Sequence, residues 1–245
     1  MYGAFSERVI EWLAMVSNFL GDVGAGAASR TPSSIISSSE LITREKVEIK
    51  NGMTFRDRGD QISVFLVLPR EGAFKDEWDE ERGVYVYQGH DSTTLERGKV
   101  RDQLMMYESG KLSENGKFLK AAREYEDGIR KEPLSVQVYE KLDAGVWYDK
   151  GIFNLADGKH IEESGRKVFK FYLTLADAEF YTKDDPDTIE RMLPAATKQE
   201  IWQRGRGRCM ECAAEKGLRM ISVSGKGFEL RCPLHGAKRG GGLLG

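Results

Sequence analysis

Apolar and polar positions divide the chain into a helical stretch, a linker and a long β-rich region. Apolar residues at three- and four-residue steps between Phe5 and Leu20 predict an amphipathic helix. Residues 21–40 are rich in glycine and serine and predict a linker. The helix has two candidate partners, the main domain and a second copy of the chain, so a homodimer is one expectation.

Short runs of β-branched and aromatic residues follow from residue 47 onward. The runs cover residues 62–68, 84–87, 134–141, 146–154 and 168–175. Turn residues separate them, among them Asp143-Ala-Gly145, Asp157-Gly158 and Ser164-Gly165. This alternation predicts a strongly twisted sheet or barrel. Residues 102–122 have a helical composition, and Asn115-Gly116 is predicted to break that helix into two pieces.

A cluster of acidic residues around one proline, Asp184-Asp-Pro-Asp187, marks the start of a last module. The predicted domains are therefore residues 1–45 for the N-terminal helix and linker, 46–183 for the β-rich domain and 184–245 for the C-terminal module. The predicted fold class is α+β, a twisted, barrel-like domain with flanking helices and a small second module.

Composition and charge narrow the classes of function. Of the 245 residues, 40% are apolar and 31% are charged, as in ordinary globular proteins. No run of apolar residues is long enough for a membrane span, and the chain starts without a basic signal region, so we expect a cytoplasmic, nucleoid-associated protein with no membrane partner. Residues 196–245 hold ten basic and four acidic residues, a net +6, and would attract a phosphate backbone.

All three cysteines lie within the basic C-terminal region. They form two pairs with the one nearby histidine, Cys209-Met-Glu-Cys212 and Cys232-Pro-Leu-His235. Two knuckles of this spacing predict a tetrahedral Zn²⁺ site, and four protein ligands make the zinc structural. The alternative is three free thiols and a surface histidine.

The frame of this module resembles HNH endonucleases. The matching segments are Lys198-Gln-Glu-Ile-Trp202, Arg208-Cys-Met-Glu-Cys212 and Leu230-Arg-Cys-Pro-Leu-His235. Active members carry an Asp-His pair between the knuckles and an asparagine further on, but residues 213–231 contain no histidine, aspartate or asparagine. The resemblance therefore implies no catalytic residue here, and Mg²⁺ or Mn²⁺ would be needed only if a nuclease activity exists.

Residues 47–175 resemble the SRA (YDG) domain, a PUA-type fold that flips a modified cytosine out of DNA. The resemblance rests on these segments: Ser63-Val-Phe-Leu-Val-Leu68, Gly72-Ala-Phe-Lys-Asp76, Tyr85-Val-Tyr-Gln-Gly-His-Asp91, Asp102-Gln103 and Tyr148-Asp-Lys-Gly-Ile-Phe153. The last segment carries one residue more than the Tyr-Asp-Gly step of the family, and the basic loop before Asp102 is shorter. An SRA domain next to an HNH-like module is typical of modification-dependent restriction endonucleases.

A flipped base needs aromatic rings on its faces and an acceptor for the cytosine amino group. The candidates for the base pocket are Gly72, Ala73, Phe74, Asp76, Trp78 and Tyr87. The rings would stack, Asp76 would accept from the amino group, and Gly72 and Ala73 would leave room for the substituent at position 5. Asp79 and Glu77 are rival acceptors. Alternatively, the aromatics are ordinary core residues.

Three basic residues, Arg97, Lys99 and Arg101, lie where the SRA family places a loop that enters the duplex, so they are candidates for DNA contact. The leading hypothesis is a protein of the SRA-HNH restriction type that binds double-stranded DNA and recognises 5-methyl- or 5-hydroxymethylcytosine. The alternatives are a reader of modified DNA without catalysis and a zinc-ribbon module that binds nucleic acid or protein.

Overall fold

The computed structural model describes residues 35–46, 52–57, 62–67, 76–79, 83–91, 102–176 and 186–236. The strands are β1 (Ile35–Ser37), β2 (Met53–Thr54), β3 (Ser63–Val67), β4 (Glu77–Asp79), β5 (Val84–Gln88), β6 (Leu134–Asp143), β7 (Val146–Glu163), β8 (Arg166–Leu175), β9 (Arg219–Val223) and β10 (Gly227–Arg231). The helices are α1 (Ser38–Glu45), α2 (Glu114–Glu126), α3 (Pro186–Met192), α4 (Ala195–Gly205) and α5 (Pro233–Gly236). None of these described helices is long and apolar enough to cross a membrane. The helix predicted over residues 5–20 lies outside the described residues.

Eight of the described strands form one mixed sheet. Its order is β2-β3-β6-β7-β8-β5-β4, with β1 paired to β7, and β3 runs parallel to β6 while the other pairs are antiparallel. Phe65 of β3 and Tyr87 of β5 stack with ring centroids 4.4 Å apart, although β6, β7 and β8 lie between their strands. The sheet is therefore strongly curled around its core, but the path of described strands is not closed. The α+β class is confirmed.

Helix α2 begins later than the sequence pattern predicts. Ser113 caps it by accepting a hydrogen bond from the Gly116 amide at 3.0 Å, so Asn115-Gly116 opens the helix instead of breaking it. A Cβ at position 116 would lie 2.2 Å from the Met105 carbonyl oxygen. Glycine therefore lets the first turn press against the preceding segment, and residues 102–112 are not helical.

Strand β7 runs through Asp157-Gly158, where the sequence predicts a turn. The strand shifts its register against β8 between Leu155 and Asp157 and then continues to Glu163. A Cβ on Gly158 would lie 3.2 Å from Cβ of Ala122 in α2. The glycine thus marks a close helix contact on a bulged strand, which is the other common reason for glycine within a strand.

Residues 35–45, where the sequence predicts the end of the linker and of the first domain, form β1 and α1. Ser37 and Glu40 make a reciprocal capping box at the start of α1. Ile36 and Leu41 pack with Trp147 of β7 in a small apolar cluster. The serine-rich segment thus contains a helix cap. A count of turn-forming residues does not distinguish such a cap from a linker.

The extra residue in Tyr148-Asp-Lys-Gly151 is accommodated as a β-bulge. Val138 pairs with Gly151 and Tyr139 with Asp149, so Lys150 has no partner in β6. Its buried ammonium instead forms an ion pair with Glu140 at 2.9 Å and lies 4.4 Å from the Tyr85 ring centroid. The inserted residue therefore becomes part of a charge cluster beneath the sheet.

Helix α4 brings a second lysine to the same carboxylate. Lys198, which is fully buried, forms an ion pair with Glu140, donates to the Arg191 carbonyl at 3.0 Å and lies 4.3 Å from the Tyr148 ring centroid. Arg191 of α3 donates to the Lys150 carbonyl at 2.9 Å. We call Glu140, Lys150, Arg191 and Lys198 the buried charge cluster.

The residues on both sides of the predicted boundary at residue 184 share this cluster and an apolar contact. The apolar residues in contact are Leu142, Tyr148, Ile201, Met220 and Leu230. Beside Arg191, the carboxylate of Glu190 accepts from the Met220 amide at 2.8 Å and pairs with Arg219 at 3.1 Å. Arg191 thus contacts the sheet and the adjacent Glu190 contacts the β9–β10 hairpin, so α3 links the two. The three predicted domains stay a prediction.

Replacing Glu140 with glutamine is expected to destabilise the protein by about 3 to 5 kcal/mol, because it leaves buried cations around an uncharged amide. Urea denaturation at a pH below 7, where Lys198 carries its charge, measures this change. Glu163→Gln is the control, since it removes the partly exposed ion pair with Lys170 and should cost less than about 1 kcal/mol. Equal effects of the two substitutions would contradict a central role for Glu140.

Burial lowers the pKa of Lys198 to about 7 from its ordinary 10.5, although Glu140 opposes the shift. The folded state therefore binds this proton less well than the unfolded chain does. The stability that Lys198 contributes is complete above about pH 10.5 and is lost as the pH falls towards 7. We expect Lys198→Met to flatten the rise of unfolding free energy between pH 7 and 10, measured as a difference from the wild type. Parallel curves would contradict this assignment.

Candidate functional site

The four predicted metal ligands converge in the C-terminal module. Their donor atoms all lie within 4.8 Å of one another. The Nδ1 atom of His235 is 3.3 Å from Sγ of Cys232 and 3.7 Å from Sγ of Cys209, and Sγ of Cys212 is 3.6 Å from Sγ of Cys232. A tetrahedral ion with ordinary bond lengths would separate such atoms by about 3.5 to 3.8 Å. The cluster is therefore arranged to hold one metal ion.

Backbone hydrogen bonds shape the two knuckles. The Cys209 amide donates to the Ala214 carbonyl at 2.8 Å, and the Ala213 amide donates to the Cys209 carbonyl at 2.8 Å. At the second knuckle, the His235 amide donates to the Cys232 carbonyl at 2.9 Å as α5 begins. The β9–β10 hairpin joins the knuckles, so its register sets the distance between the ligand pairs.

Two of the three thiols, Cys209 and Cys232, are shifted towards the ionised form that a metal binds. A backbone hydrogen bond at Ala214 lowers the pKa of Cys212, but burial and the neighbouring thiols outweigh it and raise that pKa. Burial raises the pKa of Cys209, but hydrogen bonds from the backbone of Cys232 and Cys212 and from their thiols outweigh it and lower the pKa to about 7. A hydrogen bond with His235 lowers the pKa of Cys232. Thiolates are the metal-binding form of cysteine, so the site favours a cation.

The second candidate site lies where β4 and β5 meet a loop. Asp76 precedes β4, and its Oδ1 atom accepts from the Gln88 amide at 2.8 Å. The rival acceptor Asp79 lies opposite Val84, at the other end of β5. We call Asp76, Gln88 and the following residues Gly89 to Asp91 the rim. Of the candidate acceptors, Asp76 thus lies at the rim and Asp79 does not, and the side chain of Glu77 lies outside the described residues.

Buried Gln103 forms hydrogen bonds to the rim and to β8. We call these contacts of Gln103, together with that of Asn115, the clasp. Its amide nitrogen donates to the Gly89 carbonyl and to Asp91 at 3.1 Å, and its oxygen accepts from the Phe169 amide at 2.7 Å. Asn115 adds a hydrogen bond to the His90 carbonyl at 2.9 Å. The clasp therefore joins residues 89–91 to residues 102–103 and holds both ends of segment 92–101 together.

Two predicted pocket aromatics contribute to the core of the curled sheet. Tyr87 is 3% exposed and stacks on Phe65, and Trp78 is partly buried against the same core. In this conformation Tyr87 fills the core and does not present an open stacking face. Its part in binding a base stays a prediction.

The remaining predicted site residues lie outside the described residues. They are Gly72, Ala73 and Phe74 of the predicted pocket and Arg97, Lys99 and Arg101 of the segment predicted to contact DNA. The described residues that flank the basic segment, Asp91 and Asp102, are both anchored to β8: Asp91 pairs with Arg166 at 2.8 Å, and Asp102 accepts from the Lys167 amide at 2.7 Å. The segment therefore begins and ends beside the rim.

The clasp was only partly visible in the sequence. The SRA resemblance includes the motif Asp102-Gln103, but its composition does not indicate that the Gln103 side chain joins two parts of the chain by hydrogen bonds. The Asn115-Gly116 pair predicts a helix break, and nothing in it indicates this contact. Polar residues in such contacts follow no periodic pattern, so only the tertiary structure identifies them.

Comparison with known proteins gives structural neighbours only, since no family model and no curated protein matches significantly. The SRA domain of SUVH5 bound to fully hydroxymethylated CG DNA shares 17% identity at a TM-score of 0.43, covering 63% of this chain and 95% of that chain. KRYPTONITE in complex with mCHG DNA and SAH shares 15% at 0.43, covering 74% and 39%. The DNA modification-dependent restriction endonuclease AspBHI shares 15% at 0.42, covering 71% and 43%. SRA domains, the family that the sequence resembles, are thus among these neighbours.

We expect the purified protein to hold one divalent ion per chain, and Cys212→Ser to lose it because three ligands hold the ion less tightly than four. Elemental analysis measures the stoichiometry, and cobalt substitution should give the visible absorption of a tetrahedral thiolate site. The control Met210→Ser changes an exposed neighbour in the same knuckle. A Cys212→Ser protein with a full complement of tightly held metal would contradict the ligand assignment.

Proposed function

We propose that this protein binds double-stranded DNA and recognises a modified cytosine, 5-methyl or 5-hydroxymethyl, after flipping it out of the duplex. The observation that carries the proposal is the rim. A positioned carboxylate, Asp76, and both ends of the basic segment 92–101 meet at one edge of the curled sheet. Recognition of the base and contact with the DNA backbone would therefore occur at the same edge of the sheet, as the SRA resemblance implies.

The fixed orientation of Asp76 suits recognition of a cytosine. Because the Gln88 amide binds one of its oxygens, the carboxylate cannot rotate freely. A flipped cytosine presents an exocyclic amino group, which needs an acceptor of this kind at its Watson–Crick edge. Phe74 and Trp78 remain the proposed stacking rings, with Gly72 and Ala73 beside the 5-substituent, whereas Tyr87 would stack on a base only after leaving the core.

The basic segment would supply most of the affinity. Arg97, Lys99 and Arg101 provide three cations in five residues. Contacts from such side chains to phosphates raise affinity for any sequence and weaken with salt, whereas the base contact supplies discrimination. The clasp by Gln103 would keep the segment next to the base that the rim reads.

The metal of the C-terminal module is proposed to be a structural zinc ion. Three thiolates and one imidazole are a ligand set that zinc prefers, and four protein ligands leave no position for a reacting water. The interval between the knuckles also lacks a histidine, aspartate or asparagine that could act on water. These features favour a protein of the SRA-HNH restriction type in which this module has a binding role, or a reader without catalysis.

Binding to matched duplexes that differ only in the 5-substituent of one cytosine tests the proposal. We expect tighter binding of the modified duplexes, and fluorescence of 2-aminopurine beside the modified base should rise as the base leaves the stack. Incubation with Mg²⁺ or Mn²⁺ under the same conditions tests cleavage. Equal affinity for modified and plain duplexes would overturn the proposal and favour the zinc-ribbon alternative.

Asp76→Asn probes the reading of the base itself. The amide oxygen can still accept from the Gln88 amide, but the amide nitrogen would oppose the cytosine amino group. We expect the preference for modified DNA to fall by about 1.5 to 3 kcal/mol, roughly ten- to hundredfold. Asp79→Asn, at the other end of β4, is the matched control. Tyr87→Ala is less informative, because it also opens the core.

A further inference from the structure

Alternating arginine and glycine residues, Arg204-Gly-Arg-Gly-Arg208, connect α4 to the first metal knuckle. The glycines face inward. A Cβ on Gly205 would lie 2.6 Å from Cδ1 of Leu230, and one on Gly207 would lie 2.9 Å from Cζ2 of Trp202. Gly207 also has a φ of 65°. The alternation therefore lets the backbone press against β10 and the Trp202 ring.

The arginines face outward on this closely packed turn. Arg204, Arg206 and Arg208 are all exposed. Arg204 donates to the Phe228 carbonyl, and Lys226 is exposed at the turn of the hairpin two residues before Phe228. We call Arg204, Arg206, Arg208 and Lys226 the arginine comb. Its members project from a frame fixed by α4 on one side and by the knuckle of Cys209 on the other.

The charge of the comb is not neutralised within the described part of the module. Residues 196–236 contain four carboxylates, and Glu211 and Glu229 both pair with Arg231. Glu215 pairs with Arg208 at 2.9 Å, where both side chains are more than half exposed, and such a pair is weak. No ion pair with a described carboxylate is formed by Arg206 or Lys226. The comb is thus a local excess of positive charge.

We propose that the arginine comb contacts the phosphate backbone of duplex DNA, outside the site that reads the base. This inference rests on the proposed function, since it assumes the same DNA partner. Guanidinium groups match phosphate oxygens in two parallel hydrogen bonds, and a rigid frame lowers the entropy lost on binding.

Salt dependence separates this surface from the base site. The probe is an unmodified duplex and its 5-methylcytosine counterpart, titrated at several salt concentrations with the wild type and with the double variant Arg206→Gln, Lys226→Gln. We expect the double variant to bind both duplexes more weakly and in parallel. The slope of log affinity against log salt should decrease by about 0.9 for each lost phosphate contact, or about 1.8 in total. The ratio between the duplexes should not change.

Lys131→Gln combined with Lys120→Gln is the matched control, because it removes two exposed lysines from the main domain. Unchanged metal content in the double variant shows that the knuckles remain folded. A wild-type slope in the double variant, or a slope lowered equally by the control pair, overturns the comb as a phosphate contact. If the wild type shows no preference for the 5-methylcytosine duplex but the double variant still shows the predicted change of slope, the result contradicts the proposed function alone.

Discussion

The buried carboxylate of Glu140 holds together the parts of this molecule that the sequence separates. It forms ion pairs with Lys150 from the bulge in β7 and with Lys198 from α4, and all three side chains are almost completely buried. Neither lysine could remain buried and charged without this acceptor. Lys150 of the bulge and Lys198 of α4, which lie on opposite sides of the predicted boundary at residue 184, thus meet at one carboxylate.

The metal module is therefore attached to the sheet by polar contacts at defined positions as well as by apolar packing. On α3, Arg191 contacts the bulge and Glu190 holds the edge of β9. Gly151 is required at the bulge, because its φ is 93° and a Cβ there would lie 2.6 Å from Nη2 of Arg191. Directional contacts of this kind fix an orientation, which apolar packing alone would specify less strictly.

The elements that sequence predicted well are those governed by local patterns. The strands near 62–68, 84–87, 134–141 and 168–175 and the convergence of the four metal ligands follow from alternation and from ligand spacing. Predictions failed where glycine had a tertiary role, since Gly158 lies under α2 and Gly116 lies against Met105. The cap of α1 at Ser37 is local, but its serines are also typical of a linker. The buried charge cluster was not predicted, because charged residues in a sequence are ordinarily interpreted as surface.

Because of the clasp at Gln103, the sequence of residues 92–101 and the sequence of the sheet can change independently. Gly89 and Phe169 are joined by a backbone hydrogen bond and by the Gln103 side chain, so β5 and β8 are linked by contacts among described residues that do not include residues 92–101. Doubling the length of such a loop costs only about 0.6 kcal/mol. Under the proposed function, insertions, deletions and exchanges of basic residues in this one segment would change which DNA contexts are bound while these contacts stay in place.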